Sequence, residues 1–257
     1  IEIPGFKIVE QSNQRVDYIK DAFVSKNSDV ELPVEIFKIW HAMTNNLDFE
    51  VGGGIDFNLL KQVERLKLSY GTENAVSFIS DFEVAWHTHP GVSAKGDLKL
   101  FKPPSPNDII IGLISNYHFW LIFNNKLAKD LSNTIKLAKF NKHNQQPNTV
   151  ELNIVTDKSG VYTYKANSPY WHRYWQKNSL SKFKEDLLIL KSSLQEKIDQ
   201  YFIALAEKTI SLEQARKELL SALARMSNID LTYSSWDVVL VSGLKFNLNI
   251  VEGKDIF

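Results

Sequence analysis

Apolar residues recur at three- and four-residue spacing over residues 33–43, at Ile36, Phe37, Trp40 and Met43. That is the period of a helix with one buried face. Pro33 suits its first turn, where a missing N–H costs nothing, and Asn45-Asn46 ends it ahead of a short strand around Glu50. Further strands are predicted at Phe6-Lys7-Ile8-Val9, over residues 75–86 with an interruption at Ser80-Asp81, and over residues 117–123. Residues 150–155 and 161–164 flank Asp157-Lys158-Ser159-Gly160, a turn sequence that predicts a hairpin. The run Ile109-Ile110-Ile111-Gly112-Leu113-Ile114 reads either way. Its β-branching favours a strand, whereas Ser105 ahead of it can cap a helix.

The pattern changes after residue 180. Leu180, Phe183, Leu187, Leu190, Leu194, Ile198 and Phe202 form the stripe of a long amphipathic helix. Thr209-Ile210-Ser211 interrupts it, and Ser211 with Gln214 forms a capping box for a second helix through Leu219, Leu223 and Met226. A helical hairpin over residues 180–226 follows. Leu244, Phe246, Leu248 and Ile250 then alternate as a closing strand that can return to the main sheet. The division expected is a catalytic domain over residues 1–170 and a hairpin extension with its returning strand over residues 171–257. There is no internal repeat or low-complexity tract, and residues 141–148 are the best linker candidate.

Composition narrows the partners. With 257 residues and 44% hydrophobic content the chain can bury a sizeable core. Thirty Lys and Arg balance thirty Asp and Glu, so no broad basic face suggests nucleic acid or anionic lipid. The absence of cysteine excludes a disulfide framework, a thiolate metal site and a thiol nucleophile. No apolar run has membrane-spanning length, and the start of the chain lacks a signal-peptide pattern. An intracellular, cytoplasmic location is expected.

The candidate chemistry lies at His87-Thr88-His89-Pro90 and Pro104-Ser105-Pro106-Asn107-Asp108. Residues two apart on a strand point the same way, so His87 and His89 can offer both imidazoles to one metal. A carboxylate supplies a hard oxygen, and Asp108, Asp97 and Asp81 are the candidates. Three protein ligands and a water make the open, catalytic arrangement of zinc, and such a site needs a base. Glu50 offers one, with Glu83 as its competitor. The Gly52-Gly53-Gly54 tract beside Glu50 lets another backbone or a ligand come close. His41, His118, His143 and His172 have nothing nearby to complete a site and are expected to be structural. Trp86 and Trp120 are expected in the core. The segment Tyr170-Trp171-His172-Arg173-Tyr174-Trp175 suits either an interaction surface or an anchor for the hairpin.

In this order Glu50-x-x-Gly53-x-Ile55, His87-Thr88-His89-Pro90 and Ser105-x-x-Asp108 resemble the JAMM (MPN-plus) metallopeptidase family, over residues 34–123. The stretch between His89 and Ser105 is longer than is usual there, which reads as an insertion projecting from the rim of the site. The resemblance implies an α/β fold, an MPN (cytidine-deaminase-like) domain with a mixed curved sheet, here carrying the C-terminal helical hairpin. It also implies that residues 109–114 are helical. Zn2+ would be held by His87, His89 and Asp108, with Glu50 as general base and Ser105 donating to the oxyanion. The implied activity is isopeptidase or peptidase hydrolysis of a deubiquitinase type, on ubiquitin or a ubiquitin-like conjugate. Two alternatives stand beside it. One is a hydrolase of a different amide, such as a cell-wall, phage-type or small-modifier substrate. The other is a non-catalytic MPN scaffold that assembles with other proteins through the 180–226 hairpin.

Overall fold

Ten consecutive backbone pairings join the first described strand to the last, from Phe23↔Gly253 to Leu32↔Leu244. The computed structural model describes residues 23–58, 60–78, 82–120, 122–123 and 149–253. The elements are β1 (Phe23–Leu32), α1 (Val34–Asn46), β2 (Val51–Phe57), β3 (Val63–Tyr70), β4 (Val84–Thr88), a 3-10 turn (Gly96–Lys99) and α2 (Pro106–Ile114). There follow β5 (Leu152–Thr156), β6 (Gly160–Ala166), α3 (Ser168–Lys177), α4 (Leu180–Ala206), α5 (Leu212–Ser227), β7 (Ile229–Ser235), α6 (Trp236–Ser242) and β8 (Leu244–Gly253).

Six strands form one mixed sheet in the order β3-β2-β4-β5-β6-β7. Within it β4 and β5 run parallel and the other neighbours antiparallel. The chain is therefore mixed α/β. β1 and β8 make a separate two-stranded sheet. This corrects the expectation that the closing strand at residues 244–250 returns to the main sheet. β7 takes that edge instead, pairing with β6 from Gly160↔Ser235 to Ala166↔Ile229.

Helices cover both faces of the sheet, because its central strands bury side chains in both directions. On one face, Val84, Trp86, Leu152 and Ile154 pack with Ile36, Phe37 and Trp40 of α1 and with Trp236 and Val239 of α6. On the other, Val155, Tyr162 and Tyr164 pack with Ile109 and Leu113 of α2 and with the apolar stripe of α4 and α5. The helix starts follow the chain's own caps. Ser105, Ser179 and Ser211 each accept the backbone N–H three residues on. Asn228 ends α5 in the left-handed conformation.

Two strand expectations fail. Residues 117–120 and 122–123 are helical. Asn116 Oδ1 accepts from His118 N at 3.0 Å, and Phe119 and Phe123, one turn apart, stack at 4.8 Å and meet Phe183. A short, mostly apolar run with so little exposed surface has no clear period to separate strand from helix. Of the strand expected over residues 75–86, only residues 84–86 belong to β4, and Ala75 makes an isolated bridge to Thr72. The strand expected at residues 6–9, the linker at residues 141–148, Asp81 and His143 lie outside the described residues.

The aromatic segment on α3 is an anchor. Trp171 and Trp175 are buried, Trp171 Nε1 donates to the carbonyls of Ser227 and Asn228 at the end of α5, and both indoles meet Phe183 of α4. The hairpin is thereby packed on the sheet.

Glu151 lies where the two-stranded sheet meets the main body, and its Oε2 accepts from Asn249 of β8 at 3.3 Å. Burial pushes its carboxyl up to about 7, although the Asn249 hydrogen bonds and the Lys165 charge pull the other way. The unfolded chain leaves the group near 4.5, so folding favours the protonated form. The stability this contributes is fully present below about pH 4.5 and is lost as the pH rises through about 7. Glu151→Gln stays neutral throughout. It should therefore stabilise the protein at pH 8 by up to ~3 kcal/mol and change little at pH 4. Denaturant unfolding at both pH values checks this, and an equal effect at both contradicts it.

Candidate metal centre

β4 emerges from the middle of the sheet, with β2 on one side and β5 on the other, and its C-terminal end carries the motif. His87 pairs with Gly52 and Val155, and His89 N donates to Thr156 O at 2.7 Å, which continues the ladder past Thr88. Both imidazoles therefore face the α2 side. Thr88 points the opposite way, fully buried, and its Oγ1 accepts from Val51 N at 2.9 Å. That bond ties β4 to the residue after Glu50. Glu50 itself precedes β2 and is held by Glu50 N to Thr72 O (2.7 Å) and Gly71 N to Glu50 O (2.8 Å).

The three glycines after it serve packing. A Cβ at Gly53 would collide with the Lys67 carbonyl of β3, and one at Gly54 with the Phe82 ring. Gly112 acts similarly in α2, where a Cβ would lie 3.0 Å from both Asn153 Nδ2 and the Tyr164 ring. This close seat fixes the N-terminus of α2 beside the histidines. There Ser105 and Asp108 form a reciprocal capping box, with Ser105 N to Asp108 Oδ2 at 2.8 Å and Asp108 N to Ser105 Oγ at 3.1 Å. The box that starts the helix thus also aims the Asp108 carboxylate.

All five expected residues come together. His87 Nε2 and His89 Nε2 are 3.0 Å apart. Asp108 Oδ1 lies 3.3 Å from the former and Asp108 Oδ2 3.4 Å from the latter. Glu50 Oε1 is 3.9 Å from His89 Nε2. Glu50, His87 and His89 present ligand atoms within 4.8 Å of one another, so the group can hold a metal ion. Asp108 is nearer the imidazoles than Glu50 is. Metal–nitrogen and metal–oxygen bonds of ~2.0–2.1 Å in a tetrahedron put ligand atoms about 3.3 Å apart. The two imidazoles and the nearest Asp108 oxygens, Oδ1 for His87 and Oδ2 for His89, lie close to that separation. Glu50 lies somewhat farther, 3.9 Å from His89. Asp97 lies on the 3-10 turn and Glu83 just before β4, at the end of the strand away from the motif. Neither joins the group.

The electrostatics call for a positive charge. Burial alone would push the His89 imidazole down, but the Asp108 hydrogen bond and charge, Glu50 and the Lys102 carbonyl outweigh it and raise it to about 9. Burial pushes Asp108 up, yet the two imidazoles overcome this and hold its carboxyl well below the usual range. Burial also raises Glu50, moderated by His89 and His87. At 3.0 Å the two imidazole nitrogens either share one hydrogen or face one metal ion.

One functional residue escaped sequence reasoning. Asp157, expected only as a turn residue, is fully buried. Its Oδ1 accepts from Ser159 N, Ser159 Oγ and Gly160 N, and its Oδ2 from Tyr162 OH (2.7 Å) and Lys102 N (2.8 Å). The Lys102 carbonyl in turn accepts from His89 Nδ1 at 2.9 Å. A hydrogen on Nδ1 leaves the Nε2 lone pair for a ligand. Asp157 therefore positions His89 through the backbone of one residue, Lys102.

The insertion, expected to project from the rim, is exposed over residues 92–93, 95–97 and 99–100 and anchored at its return. Phe101 is fully buried, Leu98 packs against the same core and the Phe101 and Phe202 rings are 6.0 Å apart. Gly91 and Gly96 both take positive φ, +62° and +58°, the left-handed turns that bring the chain back.

Around the histidines runs a groove with two lobes of ≈ 230 and ≈ 260 Å³, both reaching Glu50, His89 and Ser105. No protein-family model, curated protein or solved structure matches the chain. The site is read from its own geometry.

Asp157→Asn replaces an acceptor oxygen with a donor opposite two donors, so it should leave a folded chain whose divalent-metal affinity is about 10- to 100-fold lower. Competition against a chromogenic chelator measures this, with ring-nitrogen NMR reporting loss of the Nδ1–H form of His89. Wild-type affinity in the variant would reduce Asp157 to a turn residue.

Proposed function

We propose that the chain is a zinc-dependent metallopeptidase of JAMM type, built on an MPN (cytidine-deaminase-like) fold, that hydrolyses an isopeptide or peptide amide in the manner of a deubiquitinase. The observation that carries the reading is the placement of four groups. Two imidazoles and the Asp108 carboxylate are separated by 3.0 to 3.4 Å, with a second carboxylate, Glu50, 3.9 Å away and buried. Nitrogen and carboxylate donors without thiolates suit zinc in a catalytic site.

His87, His89 and Asp108 would hold the ion, which supplies Lewis acidity to the carbonyl and the attacking water. Glu50 accepts the water's proton and returns it to the departing amine, and burial raises its proton affinity toward the range such a shuttle needs. Ser105 lines both lobes. Its hydroxyl accepts from Asp108 N, which leaves its hydrogen to donate to the oxygen that becomes negative. Thr88 and Asp157 do no chemistry. They keep Glu50 and His89 in register with the groove.

The substrate class proposed is a ubiquitin or ubiquitin-like conjugate. No helix among the described residues is long and apolar enough to cross a membrane. Leu188, Ile189 and Ile203 of α4 are exposed. They support a second reading in which the hairpin also seats the enzyme in a larger assembly.

About one zinc per chain is expected by elemental analysis, lost in His87→Ala or His89→Ala without loss of the circular-dichroism signature. A wild-type chain that takes up no zinc on reconstitution would sink the reading. Glu50→Gln should keep its zinc while its cleavage of linked diubiquitin falls by about 100-fold or more. Loss of metal in that variant would make Glu50 a ligand.

A further inference from the structure

The smaller lobe of the groove has an origin that the motif residues do not explain. One side is the Gly91–Ala94 turn, tied by a Ser93 Oγ to Glu73 hydrogen bond to the loop that also holds Glu50. The other side is the hairpin helix α4, which contributes Gln195, Ile198 and Phe202. Ile198 is buried against the core and Phe202 packs on Phe101. The α3 anchor in turn fixes the position of α4, so this wall is rigid.

The lining is largely apolar near its base, with Pro90, Pro103, Ile198 and Phe202. Glu50 and His89 line its inner end, and Lys102 and Glu73 lie along its sides. The Lys102 ammonium lies 5.7 Å from the Phe202 ring centroid, a cation–π distance, and the Glu73 carboxylate takes the Ser93 hydroxyl. A cavity of ~150 Å³ admits benzene, so ≈ 230 Å³ accommodates a leucine or phenylalanine side chain. The lobe opens onto Glu50, His89 and Ser105, so whatever fills it lies next to the reacting bond.

We propose that the slot between α4 and the Gly91–Ala94 turn is a specificity pocket for a large apolar side chain flanking the scissile amide, with Phe202 and Ile198 as its selecting wall. This rests on the metallopeptidase reading above. It makes the hairpin part of the substrate site as well as a possible assembly surface. The preference for an apolar side chain comes from the Pro90, Pro103, Ile198 and Phe202 surfaces that such a chain would cover.

Two hydroxamates, which chelate zinc, separate the pocket from the metal. Acetohydroxamate reaches only the metal centre, whereas 4-phenylbutanohydroxamate carries a flexible ring that can enter either lobe. Calorimetry on the zinc-loaded chain should show the phenyl tail tightening binding by about tenfold or more. Gln195→Trp alters an exposed rim position and fills the slot without touching the core. It should abolish the gain while acetohydroxamate binds as before, and Phe202→Ala should reduce it. A tail that brings no gain, or a gain that survives Gln195→Trp, overturns the pocket while leaving the metal site standing. If acetohydroxamate itself fails to bind, the metallopeptidase reading falls, and the pocket assignment falls with it.

Discussion

A single buried carboxylate joins the parts of this molecule that have to agree. Asp157 has no exposed surface, and its two oxygens take five donors, from the β5–β6 turn, from Tyr162 and from Lys102. Its backbone carbonyl takes a sixth, Trp236 Nε1 on the opposite layer, at 2.8 Å. A buried charge is tolerated only when its lone pairs are met. The turn, the return of the insertion and α6 must therefore all be in place together. Because Lys102 then offers its carbonyl to His89, the orientation of an imidazole follows from the closure of a hairpin.

The imidazole pair imposes a second condition. His87 and His89 are brought together by strand geometry, and two carboxylates are brought to them by a helix cap and by the strap before β2. The resulting cluster is anionic enough to keep His89 protonated up to about pH 9 in the absence of a competing cation. A site with that appetite can exchange its proton for a divalent ion, and Glu50 lies 3.9 Å from His89 Nε2 beside it.

The capping box at the start of α2 shows how economically the fold and the site share residues. Ser105 and Asp108 satisfy two orphan N–H groups of the helix. The same pair presents a carboxylate to the histidines and a hydroxyl to the groove. A substitution at either position therefore acts on the helix start and on the groove at once.

Local order was legible in the chain. The three- and four-residue stripes of α1, α4 and α5, the serine caps, the Asp157–Gly160 turn and the two-residue spacing of His87 and His89 depend on neighbours within one or two turns. They read correctly for that reason. The resemblance of the spaced motifs to a known family carried Glu50, Ser105 and Asp108, which the spacing of the residues left open against Asp97 and Glu83. What sequence could not decide was long-range. The helical residues 117–120 and 122–123 are mostly apolar and buried, with His118 and Ile122 half-buried, and so leave little polar face to mark a period. β8 and β7 both alternate, yet one pairs with β1 across the whole chain and the other closes the main sheet. Asp157 reaches Lys102 over 55 residues, and the groove owes one wall to a helix some hundred residues beyond the histidines. Periodicity reports which face of an element is apolar; only the packed structure settles which other element that face meets, because burial energy depends on area and not on the identity of the partner.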